Sequence, residues 1–217
     1  RARDQDTEFL LSDLRLVGVL GRDTLVALVR GESAVARLPA EARSVAQGAD
    51  TAARMLQAVG LGSAALSDLD VTLEQLLPAK VVMLPYNPRL PDRAAEVLKQ
   101  YAQRGGKLLV CYTVPDQLQG VLQVRTGQHL KETRAGYFAA IRPRENELPG
   151  APPLTKQRSW NITTVEPTSS GGRVLAEWLD DKGQPTGQPA VVGSSNGLVM
   201  THVLLPEDAD NKRRLLL

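Results

Sequence analysis

The chain has 217 residues, of which 42% are apolar and 23% charged, values typical of a folded globular protein rather than a disordered one. Its 26 Lys and Arg residues nearly balance its 24 Asp and Glu residues, so the net charge of +2 indicates no nucleic-acid partner. One cysteine and two histidines exclude a disulfide framework and a Cys- or His-rich metal site, and we expect neither a metal nor another cofactor.

The first segment of the chain precedes any regular alternation of elements. Residues 7–20 are apolar and are interpreted as a helix, although LRLVGVL within them fits a strand equally well. No run reaches the ~18 apolar residues that a membrane helix needs, and no signal peptide is visible. Both ends, RARDQDTEFL and KRRLLL, are typical of a fragment cut from a longer protein.

Short apolar runs alternate with helical patterns from residue 24 onward. Strands are predicted at four runs rich in aliphatic residues, namely 24–30, 61–67, 80–85 and 107–113. Helices are predicted between and after them, at 40–59, 71–77, 90–104 and 114–122. This alternation predicts an α/β fold with a mostly parallel sheet, doubly wound by helices on both faces, and a flavodoxin-like strand order.

The character of the sequence changes after residue 123. Residues 142–158 hold four of the 14 prolines and show no periodicity, which predicts a loop. Three later stretches predict strands, RSWNITTVEP, GRVLAEWLDD and PAVVGSSNGLVMTHVLL, with DDKG as a hairpin turn. The apolar run 197–205 is expected to rejoin the main sheet as its last strand.

These patterns divide the chain into four parts. The parts are an N-terminal extension (1–23), a flavodoxin-like α/β core (24–125), a loop with a β elaboration (126–196), and a final strand with the start of a C-terminal helix (197–217). The basic cluster Lys212-Arg213-Arg214 is expected on the solvated side of that helix.

One stretch of the core has a recognisable order of elements. In KVVMLPYNPRLPDRAAEVLKQYAQRGGKLLVCYTVPDQL a strand reaches an LPYNP turn, a helix begins at Pro91-Asp92, and GGKLLV leads into the next strand. This order, with the tail that begins at RVLAEWLDDKG, resembles the non-catalytic version of the class I glutamine-amidotransferase-like domain. It is similar to the trimerisation domain of family 42 β-galactosidases and to ThuA-like proteins, over about residues 24–217.

The resemblance implies an accessory role beside a glycoside hydrolase domain in a bacterial exported protein. The expected partners are a neighbouring catalytic domain of the same chain, further copies of this chain, and a carbohydrate. The expected location is the periplasm or the cell exterior. In that setting the chain would serve as a scaffold, an oligomerisation surface, or a module that helps to shape a glycan site.

The sequence departs from active amidotransferases at the nucleophile. Those enzymes hold a nucleophilic Cys in a Gly-x-Cys-x-Gly turn, with a His and a Glu downstream. Here Cys111 has no glycine beside it, and Leu204 stands two residues after His202 where a Glu is required. The resemblance therefore implies a member without that activity, and we predict no catalytic residue. The alternative is a small hydrolase that uses Cys111 or acidic residues.

Cys111 and His202 form the one possible Cys–His pair of the amidotransferase type, provided that the last strand packs beside the strand of Cys111. A cysteine within an apolar strand is usually a small hydrophobic residue, and thiolate chemistry needs both access and a lowered pKa. We therefore expect the Cys111 thiol to be buried and unreactive.

A binding site is predicted at the carboxyl ends of the strands, where open α/β sheets bind ligands. Three loops lie there and supply the candidates Glu32, Ser33, Arg37, Tyr86, Asn87, Arg89, Tyr112, Thr113 and Asp116. Aromatic faces suit the C–H surface of a sugar, Asn and Asp suit its hydroxyls, and Arg suits a carboxylate. The predicted ligand site is accordingly Tyr86, Asn87, Arg89, Tyr112 and Asp116. Turn formation at Asn87 and helix capping at Asp116 are the alternative explanation.

Two further motifs point less directly to a ligand. Trp160 stands between polar residues in RSWN and can be read as a sugar platform, but a lone Trp more often fills a core or covers a sheet, and we favour packing. RGGK at 104–107 runs from helix to strand, whereas phosphate-binding loops run from strand to helix, so no phosphate site is predicted.

Overall fold

The computed structural model describes residues 24–169 and 171–216. The predicted N-terminal extension, with its helix over 7–20, lies outside the described residues. The strands are β1 Val26–Arg30, β2 Ser63–Ser67, β3 Val81–Leu84, β4 Lys107–Cys111, β5 Val124–Lys131, β6 Ala140–Pro143, β7 Thr155–Lys156, β8 Asn161–Pro167, β9 Arg173–Leu179, β10 Pro185–Ser194 and β11 Gly197–Met200. The α-helices are α1 Glu32–Arg37, α2 Ala42–Ala58, α3 Leu73–Leu76, α4 Asp92–Gln103, α5 Asp116–Leu122 and α6 Ala209–Lys212. Two 3-10 turns, Pro206–Asp208 and Arg213–Leu216, flank α6.

The four strands predicted in the core form one parallel group. They lie in the order β2-β1-β3-β4, and β11 pairs in parallel with β4 at the end of the group. Leu28 of β1 has Ala65 and Met83 as its register partners on either side. Since strands inside such a group are covered on both faces, they need continuous apolar runs, and that is the pattern that revealed them.

Helices cover both faces of this parallel group, and alternate residues of each strand meet different helices. Ala27 and Val29 of β1 belong to the same apolar cluster as Leu98 of α4 and Leu118 of α5. Their neighbours Val26 and Leu28 belong to the cluster that contains Met55 and Leu56 of α2. The period of two along a strand therefore divides the core into two layers.

The predicted helix boundaries agree closely with the structure at α4. The helix ends at Gln103, and Gly105 follows in the left-handed region with a φ of 90°. A side chain at Gly106 would lie within about 2.3 Å of the Tyr101 ring, so both glycines of GGK are required for the turn. The six-residue helix α1 was not predicted, because residues 31–37 are too few to show a helical period.

The predicted C-terminal β elaboration continues the main sheet. The later strands β10, β9, β6 and β7 extend the main sheet beyond β11 by antiparallel pairing, so the nine-stranded sheet is mixed. Among the described residues, β5 and β8 form a second, two-stranded sheet. The β10–β11 hairpin places β10 directly beside the parallel group, which gives the later strands an edge on which to continue.

Three local predictions in the second half were tested by the structure. The DDKG turn is correct, since residues 180–183 join β9 to β10. The loop predicted at 142–158 was wrong at both ends, where β6 and β7 form. The strand predicted over 197–205 ends at Met200, because the Thr201 backbone N–H and C=O turn toward Ala190 and Thr163. His202 therefore lies after the strand rather than within it.

Candidate functional site

A cavity of about 380 Å³ lies beyond the carboxyl ends of β3 and β4. Its size falls in the range of roughly 300–1,000 Å³ that small-molecule sites occupy. Three parts of the chain line it, namely the start of α2, the ends of β3 and β4, and the small β5–β8 sheet with the segment after β11. The lining residues are Glu41, Ser44, Gln47, Gly48, Pro85, Tyr86, Tyr112, His129, Ser159, Trp160, Asn161, Val203, Leu204 and Leu205.

Tyr86 follows β3 and forms one wall of the cavity. Its side chain is largely buried, and its hydroxyl donates a hydrogen bond of 2.8 Å to Oε2 of Glu41, the residue that precedes α2. Burial raises the pKa of Tyr86 strongly, and the Glu41 carboxylate raises it further. The phenol therefore stays protonated and acts as a donor.

Tyr112 follows β4 with a φ of 64°, in the left-handed region that bulky residues rarely occupy. Its ring lies 5.3 Å from the Tyr86 ring, centroid to centroid, and its hydroxyl oxygen lies 2.7 Å from Nδ1 of His129. Burial raises the pKa of the Tyr112 hydroxyl, and the Glu41 charge acts in the same direction. A strained residue directly after a central strand is a feature of functional turns, and here it directs an aromatic side chain to the cavity.

The small β5–β8 sheet supplies the third wall. His129 lies on β5, Asn161 begins β8, and Trp160 precedes it. Trp160 is 48% exposed, and the Lys131 ammonium lies 5.6 Å from the centroid of its ring. The preference for a packing role of Trp160 was therefore wrong, because its ring stands at the edge of the cavity and not in the core.

The structure separates the five predicted ligand residues. Tyr86 and Tyr112 share the cavity, whereas Arg89 and Asp116 line a shallower depression of about 460 Å³ on the other side of the β3 and β4 turns. Asp116 opens α5, and its Oδ1 accepts a hydrogen bond of 2.7 Å from Gln119. Asn87 is fully buried and its amide donates to the Val29 carbonyl oxygen at 3.3 Å, so it holds the end of β1.

The remaining loop candidates also lie away from the cavity. Ser33 is buried, and its hydroxyl and backbone N–H donate to the Asp68 carboxylate at 2.5 and 2.9 Å. This pair ties the turn after β1 to the turn after β2, and burial raises the pKa of Asp68. Thr113 lines the shallower depression, while Arg37 and Glu32 do not line either space.

Cys111 and His202 lie in the core below the cavity. β11 does pair with β4, and Met200 is the register partner of Cys111. Both side chains are fully buried, and burial raises the pKa of the Cys111 thiol to about 12. The His202 imidazole packs edge-on against Trp178 at 5.3 Å, and neither ring nitrogen has a hydrogen-bond partner among the described residues. Burial holds the His202 pKa well below its usual value.

A buried ion pair anchors the last segment beneath the cavity. Lys212 Nζ lies 3.0 Å from Oδ2 of Asp208, and both side chains are fully inaccessible. The ammonium also donates to Ser159 Oγ at 3.3 Å and to the Val203 carbonyl oxygen at 3.1 Å. Lys212 was expected to be solvated, and that was wrong: the apolar run after β11 folds back over it. Burial lowers its pKa to about 8, and Asp208 opposes the shift.

Within residues 24–169 and 171–216, no group of three or more His, Cys, Asp or Glu side chains could hold a metal ion. In the same part of the chain, no helix is long and apolar enough to cross a membrane.

Comparison with known proteins gives matches of structure but not of sequence. No family model matches the chain, and no curated protein matches it. The chain is similar to a β-galactosidase from Rahnella sp. R3 (17% identity, TM-score 0.64, 89% of this chain and 30% of that one). It is also similar to a ThuA-like protein from Bacteroides uniformis, with 12% identity and a TM-score of 0.63 over 93% of this chain and 92% of that one. A β-galactosidase from Marinomonas ef1 matches with 14% identity and a TM-score of 0.58 over 89% of this chain and 29% of that one.

These matches confirm the resemblance at the level of the fold. The chain has the fold of a ThuA-like protein over nearly the whole length of both, and it spans about a third of each β-galactosidase chain. It thus corresponds to one domain of those larger glycoside hydrolases. The sequence predicted this relationship from the LPYNP and GGKLLV turns, which the structure places at the ends of β3 and before β4.

Sequence reasoning missed Glu41, His129 and the role of Trp160. Open α/β sheets bind ligands at the carboxyl ends of their strands, so the prediction considered the loops that follow strands. Tyr86 and Tyr112 lie in such loops and were found for that reason. Glu41 precedes a helix, and His129 lies in a strand that was not predicted, so the rule did not reach them. The one local signal was the polar, exposed setting of Trp160 in RSWN.

Proposed function

We propose that this chain is a non-catalytic accessory domain of a carbohydrate-active protein and that the cavity at Tyr86, Tyr112 and Trp160 contributes to glycan binding. The observation that carries the proposal is the meeting of three aromatic side chains around one cavity. Aromatic faces contact the C–H surface of a sugar while leaving its hydroxyls free for polar partners. The fold shared with a domain of β-galactosidases supports the same setting.

The polar side chains of the cavity suit the hydroxyl groups of a sugar. Ser44 and Gln47 project from the first turns of α2, and Asn161 begins β8 opposite them, so donors and acceptors surround the aromatic rings. Each sugar hydroxyl exchanges a bond to water for a bond to protein, with a net gain of only about 0.5–1.5 kcal/mol. We therefore expect weak binding, with a Kd of about 1 mM.

The hydrolase alternative receives no support from the position of Cys111. The thiol is fully buried with a raised pKa, and Cys111 does not line the cavity. The residue that occupies the strained turn after β4 is Tyr112, whose phenol stays protonated. Among the lining residues that the structure describes, Glu41 is the only Asp or Glu, whereas carboxylate-based glycoside hydrolysis uses two.

The fold subtype, the division of the chain and the partner domain are part of the same proposal. The order β2-β1-β3-β4-β11 of the parallel strands matches the flavodoxin-like order, which supports a doubly wound core of amidotransferase-like type. We propose the division into 1–23, 24–125, 126–196 and 197–217, a bacterial exported parent protein, and a catalytic domain of the same chain as partner. Self-association is also part of the proposal.

The accessory role can be tested in the longer protein expected to carry this domain. Hydrolysis of a polymeric glycan and of a small chromogenic glycoside would be compared for the wild type and Trp160→Ala. The proposal expects lower activity on the polymer, unchanged activity on the small glycoside, and no hydrolysis by the isolated domain. Hydrolysis by the isolated domain would contradict the non-catalytic assignment, and equal polymer activity of both proteins would contradict the role of the cavity.

A further inference from the structure

The charged side chain that lines the cavity is acidic. Glu41 contributes a carboxylate, and the described residues that line the cavity include no lysine or arginine. Glu41 forms no ion pair with any cation in residues 24–169 and 171–216, and its Oε2 accepts a bond only from the neutral Tyr86 hydroxyl. A half-buried carboxylate without a cation is incompletely neutralised, so the cavity attracts positive charge.

Glu41 lies at the start of a long helix. The residue is the N-cap of α2, a helix of 17 residues, and the partial positive charge at a helix N-terminus stabilises a nearby carboxylate. The Tyr86 hydroxyl also donates a hydrogen bond to Oε2 of Glu41. Burial is the main cause of the raised pKa values of Tyr86 and Tyr112. The Glu41 carboxylate raises both values further.

The rings beside the carboxylate are suited to the same kind of ligand. The Tyr86 and Tyr112 rings lie 5.3 Å apart and are tilted by 60°, and both residues line the cavity together with Glu41. A cation is attracted to such faces and also forms a charge-assisted hydrogen bond to the carboxylate. Trp160 already has the Lys131 ammonium over its ring, so the position left for a ligand cation is the one between Glu41 and the two tyrosines.

We infer that the cavity selects a saccharide that bears a protonated amino group, an amino sugar with its amine free, over neutral and acidic sugars. This inference rests on the proposed glycan-binding function and names its substrate class. The ammonium contacts Glu41 and the tyrosine rings, and the ring hydroxyls contact Ser44, Gln47 and Asn161. Those polar side chains distinguish the expected ligand from a simple alkylammonium ion, which has no hydroxyls to satisfy them. An acidic sugar would bring its carboxylate against Glu41.

The test is a calorimetric titration of the chain with four matched tetrasaccharides at a pH that keeps the amine protonated. The ligands are β-1,4-linked glucosamine, its N-acetylated form, the neutral glucose tetramer and an oligomer of uronic acid, with ethylammonium chloride as the cation alone. Glu41→Gln removes the charge and keeps an acceptor for Tyr86. Glu74→Gln removes an equal charge from an exposed position on α3 that does not line the cavity.

The expected result is a preference of about tenfold for the free-amine oligomer over the neutral one, because hydrogen bonds to charged groups are roughly twice as strong as neutral ones. Glu41→Gln would reduce that ratio to near one, and Glu74→Gln would leave the ratio unchanged. Equal affinities of the wild type for the amine and neutral oligomers would overturn this inference while leaving glycan binding intact. If no oligosaccharide bound, whether or not ethylammonium did, the proposed function would fail and the inference with it.

Discussion

The hydroxyl oxygen of Tyr112 and Nδ1 of His129 lie 2.7 Å apart, although 17 positions separate the two residues in the chain. The contact joins the turn after β4 to β5, and the two rings also meet edge-on at 5.8 Å. Because β5 and β8 form the small sheet, this contact holds that sheet over the ends of the parallel strands. Both residues of the contact line the cavity.

A double-mutant cycle measures this contact. Tyr112→Phe keeps the ring and loses the hydroxyl, and we expect the free energy of unfolding to fall by about 0.5–1.5 kcal/mol, the usual net value of one hydrogen bond. His129→Leu should give a similar loss, and the double variant should lose less than the sum of the two. Urea unfolding of the four proteins gives the coupling energy. Strictly additive losses would show that the contact does not stabilise the fold.

The pairing of β11 with β4 makes Gly197 irreplaceable. Its φ is +153°, and a Cβ there would lie 2.0 Å from the Leu108 carbonyl oxygen, which is backbone and cannot rotate away. We expect Gly197→Ala to lower the free energy of unfolding by at least about 3 kcal/mol, since a clash adds to an unfavourable backbone conformation.

Gly120→Ala is the matched control for that substitution. Gly120 is exposed in α5 and has open space around the position of a Cβ, so alanine should stabilise the protein by about 0.5–1 kcal/mol. Denaturant unfolding compares the two variants. A tolerated Gly197→Ala would mean that β11 does not approach β4 so closely and that the parallel group has another edge.

The sequence revealed those elements whose pattern is local. β1, β3 and β4 are continuous aliphatic runs, which only strands covered on both faces require. β5 is different, since most of its residues are exposed and polar, and it is held by pairing with β8 some 30 positions later. Such pairing leaves no period in a single sequence, so β5 and His129 on it were missed.

At the candidate site, too, the residues with a local sequence signal were predicted and the others were not. The ends of β3 and β4 could be located, so Tyr86 and Tyr112 were found. Arg89 and Asp116 follow the same strands, but the turns carry them to the other side, and no local pattern reports the path of a turn. Lys212 was misjudged because its burial depends on Asp208 and Ser159, whose approach is a property of the folded chain.

Cys111 should be unreactive in the native protein. Its thiol is fully buried, and burial raises its pKa to about 12, so neither access nor thiolate is present at pH 8. Labelling with a chromogenic disulfide reagent should be at least about a hundredfold slower in native buffer than in denaturant, since it requires opening of the core. Rapid stoichiometric labelling under native conditions would restore the hydrolase alternative.

The buried Lys212 predicts a rise of stability with pH. Burial lowers its pKa from the ordinary value of 10.5 to about 8, so between these values the unfolded chain binds more protons than the folded one. The contribution of Lys212 to the free energy of unfolding therefore increases from about pH 8 to about pH 10.5, and below pH 8 its full cost applies.

A difference measurement isolates this effect from the other titrating groups. The free energy of unfolding would be measured between pH 7 and 10 for the wild type and for the double variant Lys212→Met, Asp208→Asn. As pH rises through that window, the free energy of unfolding of the wild type should increase relative to that of the double variant. For Lys182→Met, at an exposed position, the free energy of unfolding should change with pH as it does in the wild type. A constant difference between wild type and double variant would show that Lys212 titrates at its ordinary pKa.

The central claim is that the aromatic cavity, and not the neighbouring depression, binds a glycan. The most direct measurement is a chemical-shift titration of the wild type, Trp160→Ala and Asp116→Ala with oligosaccharides. Trp160 is exposed, so its removal should leave the fold intact and lower the affinity, while Asp116→Ala should bind like the wild type. In the wild type, the shifts should concentrate at the residues that follow β3 and β4 and at the start of β8. Binding that survives Trp160→Ala and is lost in Asp116→Ala would place the site at the depression and contradict the account.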